Sequence, residues 1–184
     1  PFRSAKKKNI SSNTIRRYIE YFCDSFLIDS ALRYDVKGKK YIDTPVKYYF
    51  TDMGLRNARL NFRQLEETHA MENIIFNELK LRGFNVDVGV ITQNDTNGNG
   101  SSVRRRLEID FVCNLASKRY YIQSAFAIPD SEKMEQEQKP LIHIRDSFKK
   151  IIVVKDRIKR WYNENGVLIM GLEDFLLMPN SLDL

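Results

Sequence analysis

The chain has 184 residues, 42% hydrophobic and 29% charged, enough to bury one sizeable core or two small ones. Nothing in it approaches the roughly 18–20 continuous apolar residues of a membrane span, and Pro1-Phe2-Arg3 lacks the apolar run of a secretory signal, so a cytoplasmic location and no membrane partner are expected. The net charge of +6 is uneven: residues 1–60 hold 13 Lys and Arg against 6 Asp and Glu, and residues 61–184 hold 17 against 18. Such asymmetry points to two modules, the first facing a polyanion or simply presenting a solvated basic face. Cys23 and Cys113 sit in apolar segments without metal-ligand spacing and read as buried, reduced thiols. The chain also starts without Met, so a longer parent protein is expected.

In chain order, Ser11-Ser12-Asn13 offers N-cap residues for a helix whose apolar stripe is Ile15, Tyr18, Ile19, Phe22 and Phe26. Arg16, Arg17 and Glu20 fall on its other side. Strands are expected over 31–34 and 47–50, joined through a basic turn that contains Gly38, and a connector follows over 53–58. A helix followed by a hairpin with a basic tip outlines a winged helix, assigned to residues 1–60. The rest, 61–184, opens with a helix over 70–82 that buries Met71, Ile75 and Leu79 and is capped by Gly83. Then come a strand over 84–90, a polar loop over 92–102, and strands over 107–112 and 120–125. The charged stretch 130–148 is expected to hold one helix before Pro140 and another starting at it. Strands over 150–154 and 166–170 and a helix over 172–177 complete an α/β arrangement, a mixed α+β sheet flanked by helices.

The strand pair 107–112 and 120–125 carries the chemical signal. Glu108 and Asp110 lie two apart and share one face of the first strand; Gln123 and Ala125 lie two apart on the second. A carboxylate pair facing a position where a nuclease would carry an acid and a lysine outlines a metal-dependent phosphodiesterase site. Asp110, between Ile109 and Phe111 on a core strand, needs partner hydrogen bonds or a site to explain it. Glu108 is expected to pair with the run Arg104-Arg105-Arg106, and Gln123 to bond Asp110. His69 and His143 have no second ligand at metal-binding spacing.

Several stretches together resemble the C-terminal region of a large family of predicted bacterial and archaeal AAA+ ATPases. They are 14–19 with 26–28, 33–39 with 47–56, Glu72-Asn73, 108–112 and 121–123. That region carries a domain of unknown function related in fold to restriction endonucleases. The resemblance implies an upstream nucleotide-binding domain. This chain has no phosphate-cradling Gly-x-x-x-x-Gly-Lys-Ser/Thr loop, so ATP is expected only through that domain.

In active nucleases of that superfamily, a helix glutamate and two strand acids hold Mg²⁺, and a lysine two residues after the last acid supports the attack. The matching positions here are Glu72, Asp110, Gln123 and Ala125. Glu72 and Asp110 would be the candidate ligands for Mg²⁺ or Mn²⁺. With an amide and a methyl group at the other two positions, the resemblance implies a remnant site of Glu72, Asp110 and Gln123, with weak metal affinity and no catalytic residue assigned. A displaced lysine could in principle reach in from Lys80, Lys118 or Lys133, with nothing in the sequence to favour one of them. In the winged-helix reading, Arg16, Arg17, Lys37, Lys39 and Lys40 are placed for DNA or RNA phosphates, and Lys6, Lys7 and Lys8 would add a basic arm. The expected function is thus a nucleic-acid-binding or adaptor region of a AAA+ ATPase with an inactive nuclease-like fold. The rivals are a weak Mg²⁺- or Mn²⁺-dependent nuclease and a protein-interaction or sensor module indifferent to nucleic acid.

Overall fold

A computed structural model of the chain describes residues 10–63, 66–96 and 102–183, without the side chains of 44, 94–96 and 102–104. Lys6, Lys7 and Lys8 lie outside the described residues. Helix α1 spans Ser12–Asp24, and the Ser11 hydroxyl caps it by accepting the Thr14 N–H at 3.1 Å. Its expected apolar stripe is present from Ile15 to Phe22, with Phe26 past the helix end, and is left largely uncovered among the described residues. No residue of α1 is buried, and Ile15, Tyr18 and Phe22 are about half exposed. Cys113 is buried, whereas Cys23, on this same helix, is only half-buried.

Strands β1 (Ile28–Asp35) and β2 (Lys40–Phe50) form the expected hairpin, with β2 starting seven residues earlier than the sequence suggested. The Asp35 carboxylate accepts the N–H groups of Lys37 and Gly38 and closes the turn. A side chain at Gly38 would collide with that carboxylate, since a Cβ there would sit 2.5 Å from Asp35 Oδ2. Asp52 then caps a short helix α2, Met53–Arg59, where the sequence suggested only a connector.

Helix α3 (Glu67–Leu81) buries Met71, Ile75, Phe76 and Leu79, as its spacing requires. Gly83, at φ +84°, ends it, and the Phe84 N–H returns to the Leu79 carbonyl. Strands β3 (Asn85–Thr96) and β4 (Ser102–Leu115) run longer than their apolar cores. Residues 92–96, expected in a loop, pair instead with 102–106 as a two-stranded ribbon. Their polar side chains hid a backbone ladder that both strands supply. The remainder of the expected loop, 97–101, lies outside the described residues.

Strand β5 is Lys118–Ala125, and helix α4 is Ser131–Ile142. Pro140 does not start a second helix; it lies in the last turn of α4, where it is buried beside Leu141. An N–H missing so near the helix end frees a single carbonyl, and burial of the ring favours keeping it there. Strands β6 (Lys149–Val154), β7 (Trp161–Tyr162) and β8 (Leu168–Gly171) follow, then helix α5 (Leu172–Leu177).

The eight strands among the described residues join one mixed sheet, in the order β2-β1-β3-β4-β5-β6-β8-β7. The architecture is α/β, a mixed sheet flanked by helices. The sheet runs across the expected boundary at residue 60, because β1 pairs in parallel with β3 (Arg33 with Val88, Asp35 with Val90). One core packs α3 and α5 on one face, with Phe76, Phe111, Ile122 and Phe175; the other packs α4, with Leu141, Val112, Tyr121 and Ile152.

A polar clamp fixes the hairpin to α3. Buried Asn73 accepts the Phe50 N–H at 2.8 Å and donates to the Phe50 carbonyl at 2.7 Å, with Asn77 supporting that carbonyl. Asn73→Ala is expected to cost about 1–3 kcal/mol in denaturant unfolding, because it strands the Phe50 N–H. Asn77→Ala, at an exposed and shared acceptor, is expected to cost less.

Candidate functional site

Four strands and one helix converge on the α3 side of the sheet. The spacing of β4 is broken by a bulge: Gly89 pairs with Ile109 but Asp87 pairs with Val112, so one extra residue lies between them on β4. Ile109 and Val112 therefore pack into the α4-side core, while Phe111 and Cys113 pack into the α3-side core. Glu108 reaches Arg33 and Lys47, and Asp110 feels the charges of Glu72, Lys47 and Glu108. The expectation that both carboxylates share a face thus holds, with the bulge between Ile109 and Val112 steering Asp110 inward.

Glu72 extends from the first half of α3 toward the same point. Its Oε1 accepts the Tyr49 hydroxyl at 2.7 Å and meets Lys47 Nζ at 2.6 Å. Tyr49 is held by stacking on Phe76, with ring centroids 4.0 Å apart. Lys47 also bonds Glu108 Oε1 at 3.2 Å, and Arg33 Nη1 bonds Glu108 Oε2 at 2.6 Å. Lys80, Lys118 and Lys133, the three lysines that could in principle have reached in, pair instead with Asp29, Asp183 and Glu137. The cation in the site is Lys47, on the strand read as part of the wing. Glu108 pairs with Arg33 and Lys47, because β1 and β2 bring those two side chains to its face.

The electrostatics follow from this crowding. Burial and the neighbouring Glu72 charge push the Asp110 carboxyl up to about 7, against the lowering pull of the Ser124 N–H and of Lys47. The Ser124 N–H donates to Asp110 Oδ2 at 2.8 Å. Burial disfavours the charged Lys47 ammonium, but Glu72, Asp110 and Glu108 outweigh it and raise its pKa. Burial works against Glu108 too, yet Arg33 and Lys47 hold it below the usual carboxylate range.

The structure brings Glu72 and Asp110 together but not the whole expected set. Along β5, Tyr120 and Ile122 pack on the α3 side and Tyr121 and Ala125 on the α4 side. Gln123, paired with Ile152, alternates with the second group. Its side-chain oxygen accepts the Asp110 N–H at 3.4 Å, so the expected link exists, but through the backbone of Asp110. Ser124 takes the place on the α3 side. As arranged, these residues do not fit Mg²⁺ or Mn²⁺. An ammonium sits on the Glu72 carboxylate, the second acid position is an amide on the other face, and no group of three or more His, Cys, Asp or Glu among the described residues could hold a metal ion. His143 Nδ1 is taken by the Lys139 carbonyl, and His69 lies 3.9 Å from Glu66.

The residues expected to meet nucleic acid are exposed: Arg16 and Arg17 on α1, and Lys37, Lys39 and Lys40 at the β1–β2 turn. No helix among the described residues is long and apolar enough to cross a membrane.

Residues 3–66 match a family described as a domain of unknown function (DUF8612). The chain is similar to an uncharacterized protein of Haemophilus influenzae, 32% identical over 170 residues. That alignment covers 91% of this chain but 38% of the relative's length. No solved structure matches the chain. The family match crosses from α1 through the hairpin to the approach of α3, the stretch that supplies Arg33, Lys47 and Tyr49 to the site.

Proposed function

We propose that this chain is a nucleic-acid-binding or adaptor region of a larger protein, in which a nuclease-like centre is kept as a neutralised ion-pair network. The observation that carries the reading is Lys47, whose Nζ stands 2.6 Å from Glu72 and 3.2 Å from Glu108. An ammonium held there does the electrostatic work of a metal for the fold without offering the open coordination position that phosphodiester hydrolysis requires. The length of the Haemophilus relative beyond the aligned part leaves room for the nucleotide-binding ATPase domain that the resemblance implies. The bare apolar face of α1 suits the adaptor side of the reading.

Nucleic-acid contact is assigned to the exposed Arg16, Arg17, Lys37, Lys39 and Lys40. Their contacts would be to phosphates and hence salt-dependent. Fluorescence anisotropy with labelled DNA and RNA is expected to show binding at low salt that fades at high salt. Arg16→Ala and Lys39→Ala are each expected to weaken it several-fold. Absence of binding at low ionic strength would overturn the nucleic-acid reading and leave the protein-interaction reading in its place.

The electrostatic coupling of Glu72 to Asp110 favours, as a second reading, a weak Mn²⁺-dependent nuclease. It requires Lys47 to vacate the carboxylates, and it predicts cleavage abolished by Asp110→Ala.

A further inference from the structure

Beside the ion-pair network lies a cleft of about 210 Å³, whose lining includes Arg33, Ile42, Pro45, Val90, Arg106 and Glu108. The geometry points to this cleft as a site for a backbone phosphate of a nucleic-acid strand, gripped by Arg33 and Arg106. The inference rests on the nucleic-acid reading above and adds a site that reading does not contain.

Two guanidiniums line a cleft that holds one carboxylate, and that carboxylate is already committed. Glu108 bonds Arg33 through Oε2 and Lys47 through Oε1. Arg33 spends Nη1 on Glu108 and Nε on the Pro45 carbonyl, and among the described residues nothing bonds its Nη2. The two bonds fix the guanidinium plane at the cleft wall, so little side-chain freedom is lost when an anion arrives. Arg106 is exposed and makes no ion pair among the described residues. A guanidinium with unused donors, beside one held rigid, is a fork suited to phosphate oxygens.

The placement favours a polymer over a free ion. Arg106 pairs with Thr92 at the base of the β3–β4 ribbon, and Asp35 pairs with Val90 two residues earlier on β3. The turn that bears Lys37, Lys39 and Lys40 follows Asp35 directly, so it sits at the same end of the sheet as the cleft. A strand with one phosphate in the cleft would have its neighbours within reach of those lysines. This end is also where the parallel strands β1, β3 and β5 finish, the edge at which ligands gather in open α/β sheets.

The test is anisotropy with a labelled oligonucleotide over a salt series, on the intact chain, Arg106→Gln and Lys39→Gln. Arg106→Gln is expected to weaken binding roughly five- to tenfold at low salt and to lower the slope of log K against log salt by about 1, with an unchanged melting temperature. If Arg106→Gln matches the intact chain in affinity and slope while Lys39→Gln weakens binding, the cleft proposal falls and the nucleic-acid reading stands. If the intact chain fails to bind at low salt, both fall. Inorganic phosphate is titrated by calorimetry at matched ionic strength. Heat that Arg106→Gln abolishes, seen without oligonucleotide binding, would overturn the polymer assignment in favour of a free-phosphate site.

Discussion

Lys47→Met is expected to destabilise the fold by on the order of 2–4 kcal/mol at pH 8, and by less at pH 5. The substitution keeps the length and apolar stem of the side chain and removes only the charge, leaving Glu72 without its ion pair and the charges of Glu72 and Asp110 without the cation that offsets them. The estimate lies below that for a fully buried pair because the Lys47 side chain keeps 29% exposure and Glu108 retains Arg33. Without Lys47, which now lowers the Asp110 pKa, that carboxyl holds its proton to still higher pH, so the damage grows as pH rises. The double variant Lys47→Met/Glu72→Gln is expected to lose less than the sum of the two single changes, because both partners of one charged pair are then gone. Denaturant unfolding of the four proteins at both pH values measures this coupling, and strict additivity would contradict the network.

Asp110→Asn is expected to act in the opposite direction. From about pH 4 to about pH 7 the folded chain holds a proton on Asp110 that the unfolded chain has released. The contribution of this group to stability therefore falls as pH rises through that window and levels off above it. Asparagine cannot ionise, and its carbonyl can still accept the Ser124 N–H. The variant should match the parent near pH 4 and exceed it at pH 8, by on the order of 2–4 kcal/mol. The informative quantity is the difference between the two proteins, since Glu108 and Asp87, whose pKa values are shifted in opposite directions, contribute to each profile alike. A variant less stable than the parent at pH 8 would mean that Asp110 is ionised and well compensated in the native fold.

How far the sequence could be read depended on how local each feature is. The α3 helix, its buried Met71, Ile75 and Leu79, and its stop at Gly83 follow from periodicity and one glycine. Asp110 stood out because an acid on a core strand is costly without partners. Lys47 did not stand out, because nothing near it in the chain marks it. Its partner Glu108 is 61 residues away, and Arg33 is 75 residues from the same carboxylate. The two meet there only because β1 enters the sheet beside β3, a pairing that periodicity cannot foresee. The turning away of Gln123 rests on strand parity and a bulge, which a spacing of two residues cannot reveal. Residues 92–96 look like a loop in the sequence because Thr, Gln, Asn and Asp lack strand character, although the ladder to 102–106 needs only backbone groups. The apolar stripe of α1 was legible, but whether another surface covers it was not.

If Lys47 has taken the metal's place, an added metal should find no site. Calorimetric titration of Mn²⁺ into the intact chain and into Asp110→Ala tests this most directly. The expected result is no saturable binding to either protein. One Mn²⁺ bound per chain at micromolar concentration, and lost in Asp110→Ala, would contradict it and restore a metal centre built on Glu72 and Asp110.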